Sequence, residues 1–225
     1  MPTCASVKKW STIRLMIPLV PAKIVHPLGA YLELLDRWNS IHALTSIPKS
    51  RRWDELIVDA CALLPPLEGV EAGRRLVDLG TGMGIPAVVL ALARPDLQVV
   101  GVDSSGKKIA FLRQVALELG IPNLQARLGR FESLEPLAGD VGVAKALAPL
   151  PVLLGWWGRH GRPGAPFFAL KGPGTRTEGS LPGWEVHSRA YEIPGRGPRA
   201  VLEARPAAGD ARNGGGPAKG ASRAT

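Results

Sequence analysis

The sequence predicts an α/β fold, a Rossmann-like doubly wound sheet beneath an N-terminal helical layer. Three observations predict it. From Arg75 onward short apolar runs alternate with stretches of helical periodicity, the pattern of a sheet wound with helices. Within the first unit, Val77-Asp78-Leu79-Gly80-Thr81-Gly82-Met83-Gly84-Ile85-Pro86 reads as an apolar strand, a glycine-rich turn and a helix start at proline. Before that unit, Tyr31, Leu34, Leu35, Trp38 and Ile41 recur at helical spacing.

The elements follow in order. Residues 28–46 read as the first helix and 54–64 as a second, stopped by Pro65-Pro66. Strands are expected near Leu76–Leu79, Gln98–Val102, Leu124–Leu128, Val141–Ala144 and Pro166–Lys171. Helices are expected near Pro86–Ala93, Gly106–Leu119 and Pro151–Trp157. In the middle one, Ile109, Leu112, Val115, Ala116 and Leu119 make one apolar face. Trp184–Val186 and Ala200–Leu202 suit a closing antiparallel pair. The domain plan is thus a loosely ordered basic arm at 1–27 and a main folded domain at 28–205. That domain has a helical cap at 28–66 and a Rossmann-like core at 74–205. A Gly-, Ala- and Pro-rich tail at 206–225 is expected to be disordered.

The 225 residues carry a net charge of +9, of which the arm holds +4 and residues 205–225 hold +3. Only +2 is left for the body, so the basicity is weak testimony for an anionic partner. Cys4 and Cys61 are too few and too distant for a disulfide framework or a zinc site. His26, His42, His160 and His187 lack metal-ligand spacing, so no metal is expected. No run reaches membrane-spanning length. The apolar stretch Leu15–Val20 is broken by prolines and Lys23 and has no clean cleavage site, so a cytoplasmic location is expected.

The turn after the first strand must admit a ligand close to its backbone, which Gly80, Gly82 and Gly84 permit. Asp103 ends the second strand, where a carboxylate can accept hydrogen bonds from ribose hydroxyls. Gly129-Arg130-Phe131-Glu132 ends the third, a position that can flank an adenine. A dinucleotide is the nearest rival ligand, since Gly82 to Ala87 can be read as G-x-G-x-x-A. Asp78 directly before the turn and Pro86 within the fingerprint count against it. Gly101-Val102-Asp103-Ser104-Ser105-Gly106-Lys107-Lys108 approaches a phosphate-binding loop. Its Lys108, however, stands where magnesium needs a hydroxyl.

Several segments together resemble the bacterial 16S rRNA (guanine-N7) methyltransferase G family, the glucose-inhibited division protein B family. They are Tyr31–Asn39, Leu44-Thr45-Ser46, Asp78–Pro86, Arg94-Pro95-Asp96, Asp103-Ser104 with Lys107-Lys108, Phe111–Val115, Gly129–Glu132, Ala146–Leu150 and Ala169–Gly172. The resemblance covers roughly residues 29–175. It implies a class I S-adenosylmethionine-dependent methyltransferase that acts on N7 of a guanine, with 16S rRNA or the 30S subunit as partner. By position it places Gly80, Ile85, Phe131 and Glu132 on the cofactor, with Asp103 on the ribose; Asp78, Gly82, Gly84 and Lys145 are further expected cofactor contacts. Lys145 and Lys171 are the expected catalytic pair, placing phosphate or base oxygens. Lys49, Arg51, Arg52, Arg159, Arg162, Arg176 and the arm are candidate RNA contacts, and the chain is expected to be monomeric.

The sequence departs from the family at the mouth of the site. Glu55–Ala60 keeps only Asp59 of a basic-His-x-x-Asp-Ser segment, and Lys145 stands for an arginine, losing its bidentate fork. These changes motivate two alternatives: a methyltransferase of the same fold acting on another RNA or a small molecule, and a catalytically degenerate RNA-binding protein. Trp156-Trp157 is read as core rather than as a base-stacking pair.

Overall fold

The computed structural model describes residues 18–172 and 181–207. Helix α1 (Ala22–His42) lies across the front of the molecule. It starts six residues before the predicted helix, inside the segment expected to be a loose arm. The reason is packing: Ile24 and Leu28 continue the apolar stripe of Tyr31, Leu34 and Leu35 toward the N-terminus, and all five are buried. The helix ends at Ala43, which takes a left-handed conformation at φ 46°.

The second cap helix is composite. A short α turn, α2 (Lys49–Arg52), runs into a π-helical turn at Trp53–Val58 and then α3 (Asp59–Cys61). The wide turn is sealed by the Asp59 N–H, which donates to the Asp54 carbonyl five residues back. A 3₁₀ turn at Pro65–Leu67 closes the layer.

The core follows as β1 (Arg75–Leu79), α4 (Ala87–Ala93), β2 (Gln98–Asp103), α5 (Gly106–Glu118), β3 (Leu124–Leu128), β4 (Val141–Lys145), α6 (Leu150–His160), β5 (Phe167–Lys171), β6 (Trp184–Ile193) and β7 (Gly197–Pro206). The sheet order is β3-β2-β1-β4-β5-β7-β6. Strands β1 to β5 are parallel; β7 is antiparallel to both its neighbours. The order reverses between β1 and β4, so a crevice opens at the carboxyl ends of those strands. The closing pair is present, but each strand has ten residues rather than three. Only one face of β6 meets the core, so its polar alternation hid its length.

One face of the sheet packs under α1, the composite helix, α4 and α5, around Phe111, Leu112, Val143 and Phe168. The other face packs under α6, around Trp157 and Phe167. Trp157 is buried, donates its indole N–H to the Ala165 carbonyl at 3.0 Å, and lies 5.7 Å from Phe167 between ring centres. Gly139, Gly142 and Gly161 each lie so close to this indole that a Cβ there would come within 2.5 to 2.8 Å of it. Trp157 is therefore core, as its sequence position suggests. Its neighbour Trp156 is half-buried against Phe131, with ring centres 5.0 Å apart.

The tail and most of the arm lie outside the described residues, as do Cys4 and Arg176. Cys61 is buried, and burial pushes its thiol up to about 12, which leaves it unreactive at neutral pH.

Candidate active site

The glycine-rich turn leaves β1 at the carboxyl edge. Gly80, Gly82 and Gly84 all have positive φ (69°, 59° and 93°), so the chain needs glycine there. Their surroundings differ. A Cβ on Gly80 would run into Leu147 at 2.5 Å, and one on Gly84 would run into Leu112 at 2.7 Å. A Cβ on Gly82 would meet only the Gly80 carbonyl, at 3.9 Å, so this backbone is open to a ligand.

The turn is fastened from three sides. The Thr81 N–H donates to the Val102 carbonyl at 2.9 Å. The Gly82 N–H donates to the Asp103 carboxylate at 3.0 Å, and the Ser105 N–H donates to its other oxygen at 2.8 Å. From the cap, buried Tyr31 donates its hydroxyl to the Met83 carbonyl at 3.0 Å. Tyr31→Phe would leave that carbonyl without its donor. The expected loss is about 1 kcal/mol in unfolding, together with severalfold weaker cofactor binding by calorimetry. An unchanged affinity would mean the turn holds its shape without α1.

Asp78 lies under the turn, fully buried. Its Oδ2 accepts from the Ala87 N–H at 3.2 Å, so the first turn of α4 is capped by the protein's own carboxylate. Pro86 is the residue before the helix, not its first member. Among the described residues the buried Asp78 Oδ1 and Thr81 Oγ1 make no well-formed hydrogen bond, although the Thr81 hydroxyl lies near enough to steady the carboxylate. Burial pushes the Asp78 carboxyl up to about 7.

Residues expected at the mouth are divided by the sheet. Lys145, at the end of β4, faces the cap. Its Nζ sits 2.7 Å from Asp59 Oδ2 and also donates to the Glu55 carbonyl. Asp59 Oδ1 accepts from the Tyr191 hydroxyl at 2.6 Å and lies 3.4 Å from an Arg199 guanidinium nitrogen. Lys171, at the end of β5, faces α6 and donates to the Ala148 carbonyl at 2.8 Å. Burial lowers the pKa of both lysines, and Asp59 opposes that shift at Lys145. The two ammonium groups therefore serve opposite faces. Ile85 is buried behind the turn, Phe131 is buried with its carbonyl on His160 Nε2 at 2.8 Å, and Glu132 is exposed.

Sequence reasoning did not find the Asp59–Tyr191–Arg199 partnership. Asp59 stood out only as the retained member of a family segment. Of the candidate RNA contacts, Arg52 is buried on Asp36 and the Ile47 carbonyl and is structural. Arg162 pairs with Asp140 at 3.4 Å, at the amino edge of the sheet, away from the crevice. Arg159 donates to the Leu134 carbonyl at 3.0 Å. Lys49 and Arg51 stay on the surface, beside Asp36 and Glu55. Among the described residues no group of His, Cys, Asp and Glu could hold a metal, and no helix is long and apolar enough to cross a membrane.

A dinucleotide fingerprint fits this geometry poorly, because a buried acid fills the ground beneath the turn. The same acid suits a cationic ligand. S-adenosylmethionine brings an ammonium and a sulfonium, and the buried Asp78 and Thr81 oxygens with the open Gly82 backbone fit it.

Comparison with known proteins agrees. Solved structures of like fold include a SAM-dependent methyltransferase from Aquifex aeolicus (17% identical, TM-score 0.53, covering 70% of this chain and 93% of that one). TrmN from Thermus thermophilus is another (23% identical, TM-score 0.53, covering 73% and 55%). Curated proteins from Yersinia enterocolitica and Yersinia pestis, each named ribosomal RNA small subunit methyltransferase G, are 39% identical over 68% of this chain and 74% of their own. The family model described as rRNA small subunit methyltransferase G matches residues 24–189. The chain belongs to that family and is an S-adenosylmethionine-dependent methyltransferase.

Proposed function

We propose that this protein methylates N7 of one guanine in 16S rRNA, with the rRNA or the 30S subunit as its partner, and that it acts as a monomer in the cytoplasm. The observation that carries the reading is the pairing of an open glycine turn with two acids, Asp78 beneath it and Asp103 beside it, in a chain of this family.

In this reading Gly80, Gly82 and Gly84 give backbone access, Asp78 faces the cationic end of the cofactor, and Asp103 accepts from the ribose. Ile85, Phe131 and Glu132 lie on the loops that would flank the adenosine. Bound S-adenosylmethionine supplies an electrophilic methyl on a cationic sulfur. Guanine N7 has an in-plane lone pair and no proton, so the chain need supply no general base. Its work is alignment and exclusion of water. Lys171 positions the loop 146–149 through the Ala148 carbonyl, and Lys145 sets the opposite wall through Asp59.

The test is transfer of tritiated methyl to 16S rRNA and 30S subunits from cells lacking the protein, mapped by cleavage at 7-methylguanine. Label at one guanine N7 is the expected result. No label from protein that binds the cofactor would replace this acceptor with another RNA or a small molecule. Asp103→Ala removes the ribose acceptor and two backbone anchors. It is expected to raise the cofactor dissociation constant by roughly 100-fold, read by calorimetry.

A further inference from the structure

Among the described residues, the ionic cluster under the cap holds more positive charge than its acids neutralise. Glu55 and Asp59 project from the composite helix toward the sheet. Asp59 meets Lys145 and Arg199. Glu55 Oε1 is shared by Arg51 and Arg196, the latter at 3.4 Å. Four cations thus rest on two carboxylates. Arg51 is held closely by Glu55 through two of its nitrogens, but two observations show that Arg196 and Arg199 are not fully engaged. Arg196 and Arg199 reach their carboxylates only at 3.4 Å, and Arg199 Nε is buried with no hydrogen-bond partner among the described residues.

The place of this excess matters. β7 is antiparallel to β5, with Ala200 opposite Lys171. Arg199, and Arg196 in the preceding turn, therefore stand past the carboxyl end of β5, on the edge that carries the glycine turn and Asp103. The exposed Arg51 comes to the same group from the cap. A guanidinium fork matches the oxygens of a phosphodiester in both charge and geometry. Side chains already held by Glu55 and Asp59 lose little freedom when they bind one.

We propose that Arg51, Arg196 and Arg199 form the seat for one backbone phosphate of the RNA strand that delivers the target base. Glu55 is the counter-ion that the phosphate displaces. The inference rests on the reading of the protein as an RNA methyltransferase and adds where the strand is gripped.

The test is equilibrium binding of a 16S rRNA fragment to the full-length protein across a salt series, with melting temperature and cofactor affinity measured in parallel. Arg196→Gln is expected to weaken RNA binding roughly tenfold and to lower the slope of log affinity against log salt by about one. Cofactor affinity should stay within twofold. Glu55→Gln frees two guanidinium groups and is expected to tighten RNA binding severalfold, even where it lowers the melting temperature. A merely structural ion pair would not give that opposite sign. Unchanged RNA affinity and slope in Arg196→Gln overturn the seat, as does weakened RNA binding in Glu55→Gln. If Arg196→Gln does not fold, Glu55→Gln decides alone. Absence of methyl transfer to any guanine would overturn the proposed function, while the RNA-binding arms still report on the seat.

Discussion

Asp78→Asn is expected to make the protein more stable above pH 7 and poorer at holding its cofactor. The carboxyl is fully buried, and burial raises it from 3.8 to about 7; the Thr81 hydroxyl and the Ala87 N–H hold that rise back, with smaller contributions from Asp103, which adds to it, and Lys145, which opposes it. Between those two values the folded state holds a proton that the unfolded chain has released. Stability should therefore fall as pH rises from about 4 to about 7 and level off beyond. A shift of this size corresponds to about 4 kcal/mol at most. Asparagine keeps an oxygen for the Ala87 N–H and cannot ionise, so the slope should vanish and the gain should appear at pH 8. Urea midpoints at pH 5 and pH 8 measure both. The cofactor should bind about 10- to 100-fold more weakly, as its cationic end loses its acid. A variant less stable than the parent at pH 8 would show that the Asp78 charge is already satisfied. The acid is retained at the expense of stability, as expected of a group that serves a ligand.

Trp157→Ala should be the most damaging change in the core. It removes a fully buried indole, its bond to the Ala165 carbonyl and its contact with Phe167. The expected loss is about 4 kcal/mol, which for a chain of this size lowers the melting temperature by about 10 °C. The surrounding glycines sharpen the prediction. A Cβ on Gly161 would have three indole atoms as its nearest neighbours, at 2.6 to 2.9 Å. Gly161→Ala alone should therefore destabilise, whereas in the Trp157→Ala background it should be neutral or better. A double-mutant cycle by denaturant unfolding gives the coupling, and simple additivity would place the strain elsewhere.

Much of this was legible because it is local. The turn from Asp78 to Pro86 carries its own conformational demands, and the central parallel strands β1, β2, β4 and β5 are short, mainly apolar runs. The C-terminal strands were seen only as three-residue patches, since β6 presents one face to the core and hides its period among charged residues. The Arg52 assignment failed for a related reason. Asp36, its partner, lies 16 residues away on another helix, and no spacing rule links them. The partners of Asp59 are further still, with Tyr191 lying 132 residues along the chain. Sequence shows which charges exist, and only the fold shows which of them are already spent on each other.

That separation has a consequence for the order of synthesis. The composite helix is made first, and Tyr191 and Arg199 emerge more than a hundred residues later. Until they arrive, Asp59 has Lys145 alone for company, and the outer edge of β5 has no partner strand. A nascent chain stopped after Lys171 therefore carries an exposed strand edge and an incompletely satisfied buried acid. Such a chain should depend on chaperones and be easily degraded. Completion of the hairpin closes the edge and the ionic cluster together. The closing hairpin thus licenses the first layer, and only a chain translated through β7 presents a finished crevice.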